Sequence, residues 1–359
     1  MIINTSKKYI INSFSVILME ITLVFFALTL ITNLFEEINF LKDMDVPGYY
    51  PILLAFLNTP SILIEILPFI FLISTQFLFI KLSDRNELFI FKYTGLTNRK
   101  ILNTVVIFSF FLGILLVLGF YNFSSKLKSQ YLEIKNHFTS DNKYLAVITE
   151  NGFWIKDEID ETISITNAEK INNELLVNVS IVQFDKNFNL LQSINSDEVN
   201  IRTKNWTITN ATISKDNISK KVELLNIKSN FDLEKINNLF SNLSSLSLFK
   251  LNRLKNDYKS LGYSTLDIRA YEYKIYSLPV YLTIMTLLSG IIMFNSKYKK
   301  SKIINIVFGI FISVVIYYIN YFSSLLGTNE KIPIVISVWL PLIILILISS
   351  IGLVRLNEK

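Results

Sequence analysis

The 359-residue chain is 51% hydrophobic and only 18% charged, with a mean hydropathy of +0.42. Ordinary soluble domains carry about 25% charged residues, so a single soluble globular domain is excluded. One histidine, His137, and no cysteine exclude disulfides, thiol catalysis, zinc fingers, iron–sulfur clusters and any multi-His metal site.

Six apolar runs reach the length of about 20 residues that crosses a bilayer core. In chain order they are Ile10–Phe35, Ile52–Ile80, Ile101–Phe123, Ile275–Phe294, Ile303–Leu325 and Ile332–Val354. Glu20 and Glu65 are the single charges of the first two, and the other four have none. The first run offers no isolated short apolar core with a cleavage site, so it reads as a span and not as a signal peptide. The second is interrupted by Pro60 and Pro68 and exceeds one straight span. Pro51–Thr59 is therefore expected near the surface, with the helix starting around Pro60. An acid inside a span is a functional candidate by default. Glu20 nevertheless reads first as snorkelling or pairing toward the inner interface, and Glu65 as similarly interfacial.

Positive charge sets the orientation. Lys7, Lys8, Lys81, Arg85, Lys92, Arg99, Lys100, Lys297, Lys299, Lys300, Lys302, Arg355 and Lys359 all fall on one side of the six-span topology. The opposite short loops hold Lys42 and Lys331, so both termini are expected in the cytoplasm. The segment after the third span, about Ser124–Leu266, lies on the far side and carries eighteen Lys/Arg against seventeen Asp/Glu. The net charge of +6 thus belongs to the cytoplasmic loops, and a nucleic-acid partner loses its support.

Between spans two and three, Ser83–Lys100 reads SDRNELFIFKYTGLTNRK. Ser and Asp precede Glu87 as capping candidates, Leu88, Phe89, Phe91 and Lys92 follow, and Gly95 supplies a stop. The pattern fits a short amphipathic helix that lies on the membrane or docks into another protein, and does not choose between them.

The far-side insert reads as strands over Tyr144–Thr149, Gly152–Ile155, Thr162–Thr166, Leu175–Phe184, Glu198–Arg202, Trp206–Ser214 and Lys221–Lys228. An all-β sandwich, jelly roll or open barrel is expected, followed by a helical stretch within Phe231–Tyr263 that returns to the membrane. The fold class is therefore a six-helix membrane protein with an all-β domain between helices three and four. Three parts follow: 1–123 with three spans and a cytoplasmic helix near 84–95, the 124–266 insert, and 267–359 with three more spans. No phosphate loop, nucleophile elbow or H-E-x-x-H occurs. The chain is not expected to hydrolyse ATP itself, to be an enzyme, or to need a cofactor or metal. His137 reads as an exposed residue at the entry to the insert.

Several stretches resemble the LptF/LptG family of lipopolysaccharide-export permeases. Glu87-Leu88, Lys92, Gly95 and Thr97 match the coupling-helix pattern E-L-x-x-x-[RK]-x-x-G-x-[ST]. Ile66-Leu67-Pro68 matches span two, and Glu272 to Pro279 resembles the entry to span four with Lys274 and Pro279 one position early. Leu326-Gly327, Ile332-Pro333 and Val338-Trp339-Leu340-Pro341 match the closing span. Gly152–Asp157 and Leu190–Ser193 look closer to LptG, whose periplasmic domain is a β-jellyroll. The resemblance implies a heterodimer with a second permease, an LptB-type ATPase dimer on the coupling helices, LptC beside the lateral gate, and an LptA-like bridge receiving lipopolysaccharide from the inner membrane. It implies ATPase coupling through Glu87, Leu88, Phe91, Lys92 and Gly95, and substrate contacts at Asn33, Lys42, Tyr317 and Tyr321. Where LptG-type chains carry several lysines after span one, this sequence has Asn33, Glu36, Glu37 and Asn39, then Lys42. Either the partner meets the phosphates or the lipid carries fewer of them. A permease for another lipid or lipoprotein, and a non-transporting scaffold presenting a β-domain, are the alternatives.

Overall fold

The computed structural model describes residues 5–44, 46–93, 95–138, 153–159, 162–172, 174–215, 218–233, 236, 242–260, 264–295 and 302–357. Two compact units emerge, Met1–Lys128 with Leu266–Lys359, and Ser129–Thr265.

The first unit is helical: α1 (Thr5–Leu41), α2 (Tyr50–Asp84), α3 (Glu87–Tyr93), α4 (Asn98–Leu115), α5 (from Tyr121), α7 (Leu266–Asn295), α8 (Lys302–Thr328) and α9 (Ile334–Asn357). A π-helical turn, Leu116–Phe120, joins α4 to α5 without a break. Six of these helices, counting α4 with α5 as one, are long and apolar enough to cross a membrane, as expected.

The second helix corrects one expectation. It starts at Tyr50 and runs unbroken through Pro60 and Pro68 to Asp84, so Pro51–Thr59 is helix. Pro51 occupies the first turn, where its missing N–H costs nothing, and Leu54, Ala55, Leu57, Asn58 and Thr59 are buried. Packing holds this segment helical, and an interior proline is tolerated where neighbouring groups re-satisfy the freed carbonyl.

The second unit holds the β-rich insert between the third and fourth spans. Strands β1 (Phe153–Ile159), β2 (Thr162–Asn172), β3 (Leu175–Phe184), β4 (Leu190–Asn200), β5 (Asn205–Lys215) and β6 (Ile218–Lys228) form one antiparallel sheet in chain order. Each strand pairs with its chain neighbour, so a simple meander accounts for all six. Helix α6 (Leu248–Ser260) follows. Tyr144–Thr149 lies outside the described residues, as does the side chain of His137.

Alternation is interrupted in a concerted way. In β3, Val177 and Asn178 separate buried Leu176 from buried Val179; in β5, Thr209 and Asn210 separate Ile208 from Ala211. Asn178 and Asn210 sit at φ 51° and 52°, a left-handed conformation that asparagine accepts more readily than most residues. The ladders keep their register across this row, with Val177 opposite Glu198, Val179 opposite Ser196, Thr209 opposite Leu224 and Ala211 opposite Val222. The strands therefore kink at the same level while their pairing is unchanged.

One buried carboxylate ties the sheet to the chain leaving it. Asp157 on β1, 5% exposed, accepts bonds from Ser229 Oγ at 2.8 Å, Asn230 N at 2.9 Å and Asn230 Nδ2 at 2.8 Å. Trp206 Nε1 donates to the Phe231 carbonyl at 2.8 Å. Replacing Asp157 by Ala strands these donors and is expected to cost roughly 3 kcal/mol, seen as faster proteolysis of the insert in the detergent-solubilised chain with the membrane helices intact.

Candidate functional site

Helix α3 has seven residues, too few to persist alone, so its position must be imposed by its surroundings. Four features impose it. Asn86, at φ 55°, turns the chain out of α2 and its carbonyl accepts the amides of Phe89 and Ile90. Leu88 and Phe91, both 8% exposed, bury one face. At the other end Gly95 N donates to Lys92 O at 3.0 Å and Leu96 N donates to Phe91 O at 2.9 Å, the paired bonds of a Schellman stop. Gly95 has φ +83°, which a side chain resists. Thr97 then caps α4, its Oγ1 accepting the Lys100 amide at 3.3 Å.

The fourth feature is Tyr9 of α1. Its hydroxyl donates to Glu87 Oε1 at 2.8 Å, and its ring lies 6.3 Å from that of Phe91. Arg85 approaches the same Oε1 at 3.9 Å. The Glu87 side chain is 18% exposed, and its Oε2 is shielded with no hydrogen-bond partner among the described residues. An acid in the first turn also suits the partial positive charge of a helix start.

The structure thus brings Glu87, Leu88, Phe91, Lys92 and Gly95 together but gives them different tasks. Leu88, Phe91 and Gly95 build the elbow, Glu87 is turned toward α1, and Lys92 points outward. What the helix presents outward is Phe89, Ile90 and Tyr93, 51, 58 and 90% exposed. Sequence reasoning did not single these three out for a contact role. The signal was four consecutive apolar residues, Leu88–Phe91, which exceed what one face of so short a helix can bury.

The expected substrate contacts lie elsewhere. Asn33 is buried: its Nδ2 donates to Thr59 Oγ1 at 3.3 Å and its Oδ1 accepts from Asn58 Nδ2 at 3.1 Å. Lys128 Nζ donates to Asn58 Oδ1 at 2.6 Å, extending the polar chain from α1 through α2 to α5. Lys42 stands just past α1, exposed, 4.0 Å from Asp43. Tyr317 and Tyr321 are exposed on α8 and touch the rings of Tyr318 and Phe322. A pair that sequence reasoning did not connect is Glu65 on α2 with Lys274 on α7, at 3.5 Å. No group of three or more potential metal ligands occurs among the described residues.

Gly95→Ala forces a side chain into a left-handed conformation at a cost of about 1–2 kcal/mol. The expected outcome is faster amide exchange at Leu96 and along α3, with exchange in α2 unchanged.

The comparisons with known proteins bear on this geometry. No curated protein matches the chain at significant similarity. The sequence profile described as "Lipopolysaccharide export system permease LptF/LptG" matches residues 8–355, covering the elbow, the insert and all six long helices, and it does not divide LptF from LptG. The chain belongs to the LptF/LptG family of lipopolysaccharide export system permeases.

Proposed function

We propose that the chain is one permease subunit of an ABC-type exporter that lifts lipopolysaccharide out of the inner membrane and passes it toward the outer membrane, without an ATPase of its own. The observation that carries this reading is the elbow at α3. A seven-residue helix fixed at both ends turns Phe89, Ile90, Tyr93 and Lys92 outward, and such an apolar patch edged by charge is what a protein partner covers. An LptB-type ATPase dimer is its occupant, one subunit per permease.

The open faces of the bundle favour a second permease. In the most apolar stretch of α1 only 11% of residues are buried and in that of α8 22%, against 72% in α2. Glu20 lies on the exposed side of α1, where an acid suits a protein partner or polar cavity better than lipid tails. A heterodimer with another LptF/LptG-type chain covers these faces. Lysine and arginine bias puts both termini and α3 in the cytoplasm and the 124–266 domain in the periplasm, where LptC and an LptA-like bridge continue the route. Likeness of Gly152–Asp157 and Leu190–Ser193 to LptG supports that branch.

Substrate contact falls to Tyr317, Tyr321 and Lys42, and Asn33 serves it indirectly by holding α1 on α2. One observation favours a lipid with fewer phosphates as cargo: Lys42 and Lys274 each lie beside an acid, Asp43 and Glu65, which weakens their pull on a phosphate.

Pull-down tests the docking surface. Phe89→Asp with Tyr93→Asp puts charge at a desolvated contact, which costs several kcal/mol. Separately, Glu87→Lys sets a cation against Arg85 and drives α3 from its position. Both are expected to insert normally and to lose at least about tenfold in ATPase recovered. Full recovery of the ATPase by both variants would remove α3 as its site.

A further inference from the structure

Spans two and three reach α3 through the chain itself, since α2 ends at Asp84, α3 covers Glu87–Tyr93 and α4 starts at Asn98. Span one has no such link. It meets α3 through Tyr9, 78 residues before Glu87. Glu87 and Phe91 are one helical turn apart on α3 and so lie on one side of it. Tyr9 engages both: the hydroxyl binds the Glu87 carboxylate at 2.8 Å, and the ring packs at 6.3 Å from Phe91. A bond to an ionised acceptor is roughly twice as strong as a neutral one. The tyrosine itself is 40% exposed.

The spans at the two ends of this clip differ in how firmly they are packed. Helix α2 is largely enclosed by the bundle, whereas α1 is the least buried of the six long helices along its apolar stretch. A helix with few enclosing contacts moves at lower cost than one embedded in the core. A clip between α3 and α1 therefore joins α3 to the span whose apolar stretch is least enclosed.

We infer that Tyr9 is a positioning residue that couples α3 to span one, so that displacement of α3 by a bound ATPase moves α1 directly. The inference rests on the docking reading above. Because α1 carries the exposed outer flank of the bundle, its movement opens or closes the path of the lipid between the two permeases.

The test uses the complete transporter, both permeases with the ATPase, in proteoliposomes, with purified lipopolysaccharide as the probe. Three quantities are read: ATPase recovered, ATP hydrolysed, and lipid released per ATP. Tyr9→Phe keeps the ring on Phe91 and deletes only the hydroxyl. It is expected to keep the ATPase bound and hydrolysing while lipid released per ATP falls about tenfold, the scale of a lost bond to a charged group. Glu87→Gln leaves only a neutral acceptor for the hydroxyl and is expected to lower lipid released per ATP by about threefold, between wild type and Tyr9→Phe. Tyr9→Phe with unchanged lipid release per ATP would overturn the inference. So would Tyr9→Phe that simply loses the ATPase, because the hydroxyl would then build the docking surface and not transmit from it. A wild-type transporter that recovers no ATPase would overturn the docking reading and this inference together, which separates that failure from the other two.

Discussion

Helices already inside a bilayer gain little by burying apolar surface against one another, because lipid tails are as apolar as leucine. Close approach and polar bonds must hold them instead, and here both converge on α2. Its Gln76 Nε2 donates to the Asn305 carbonyl of α8 at 2.8 Å, and its Leu72 carbonyl accepts from Ser289 Oγ of α7 at 2.8 Å. Asn58 and Thr59 bind Asn33 of α1. Glycine makes room for the first of these, since a Cβ on Gly309 would collide with Gln76 Nε2; between α4 and α7, one on Gly113 would stand 2.8 Å from the Pro279 Cα. Around these contacts pack Leu72, Ile73, Met285 and Ile316, drawn from α2, α7 and α8.

A fixed α2 gives the other helices of its unit their reference point. The short helix α3 leaves α2 after two residues and is aimed by Asn86, by the Leu88 and Phe91 anchors and by the Gly95 stop. The Asn33–Asn58–Lys128 chain joins α1, α2 and α5, while the apolar stretch of α1 is the least buried of the six. Span one is thus held by Tyr9 at one end and Asn33 at the other, with Phe14 buried against Phe71 and Phe108 between them. That distribution suits a helix that must shift against a partner without leaving its own subunit.

Much of this was legible before any coordinates. The six apolar runs are long, and four lack any charge, so little can compete with a membrane assignment. The strand read over Leu175–Phe184 coincides with β3 because Leu176, Val179 and Ile181 face the core. Gly95 betrays a helix stop because its role is local, set by backbone φ. What stayed hidden depends on distant residues. Nothing near Asn33 in the sequence says that its amide faces Asn58, and nothing near Tyr9 points to Glu87. Pro51–Thr59 misled because a proline-bounded apolar stretch looks like a break until packing against α1 is known. The kink row at Asn178 and Asn210 shifts the alternation by one residue in β3 and β5, which a period-two reading takes as noise.

The central claim is that this chain works as one half of a paired permease driven by an ATPase held at α3. Native mass spectrometry of the tagged full chain, released from membranes in mild detergent, measures that most directly. The account predicts one copy of this chain, one copy of a different six-span permease of the same family, two ATPase subunits and a bound lipopolysaccharide-type lipid. A chain recovered alone, with neither a second permease nor an ATPase, would contradict it.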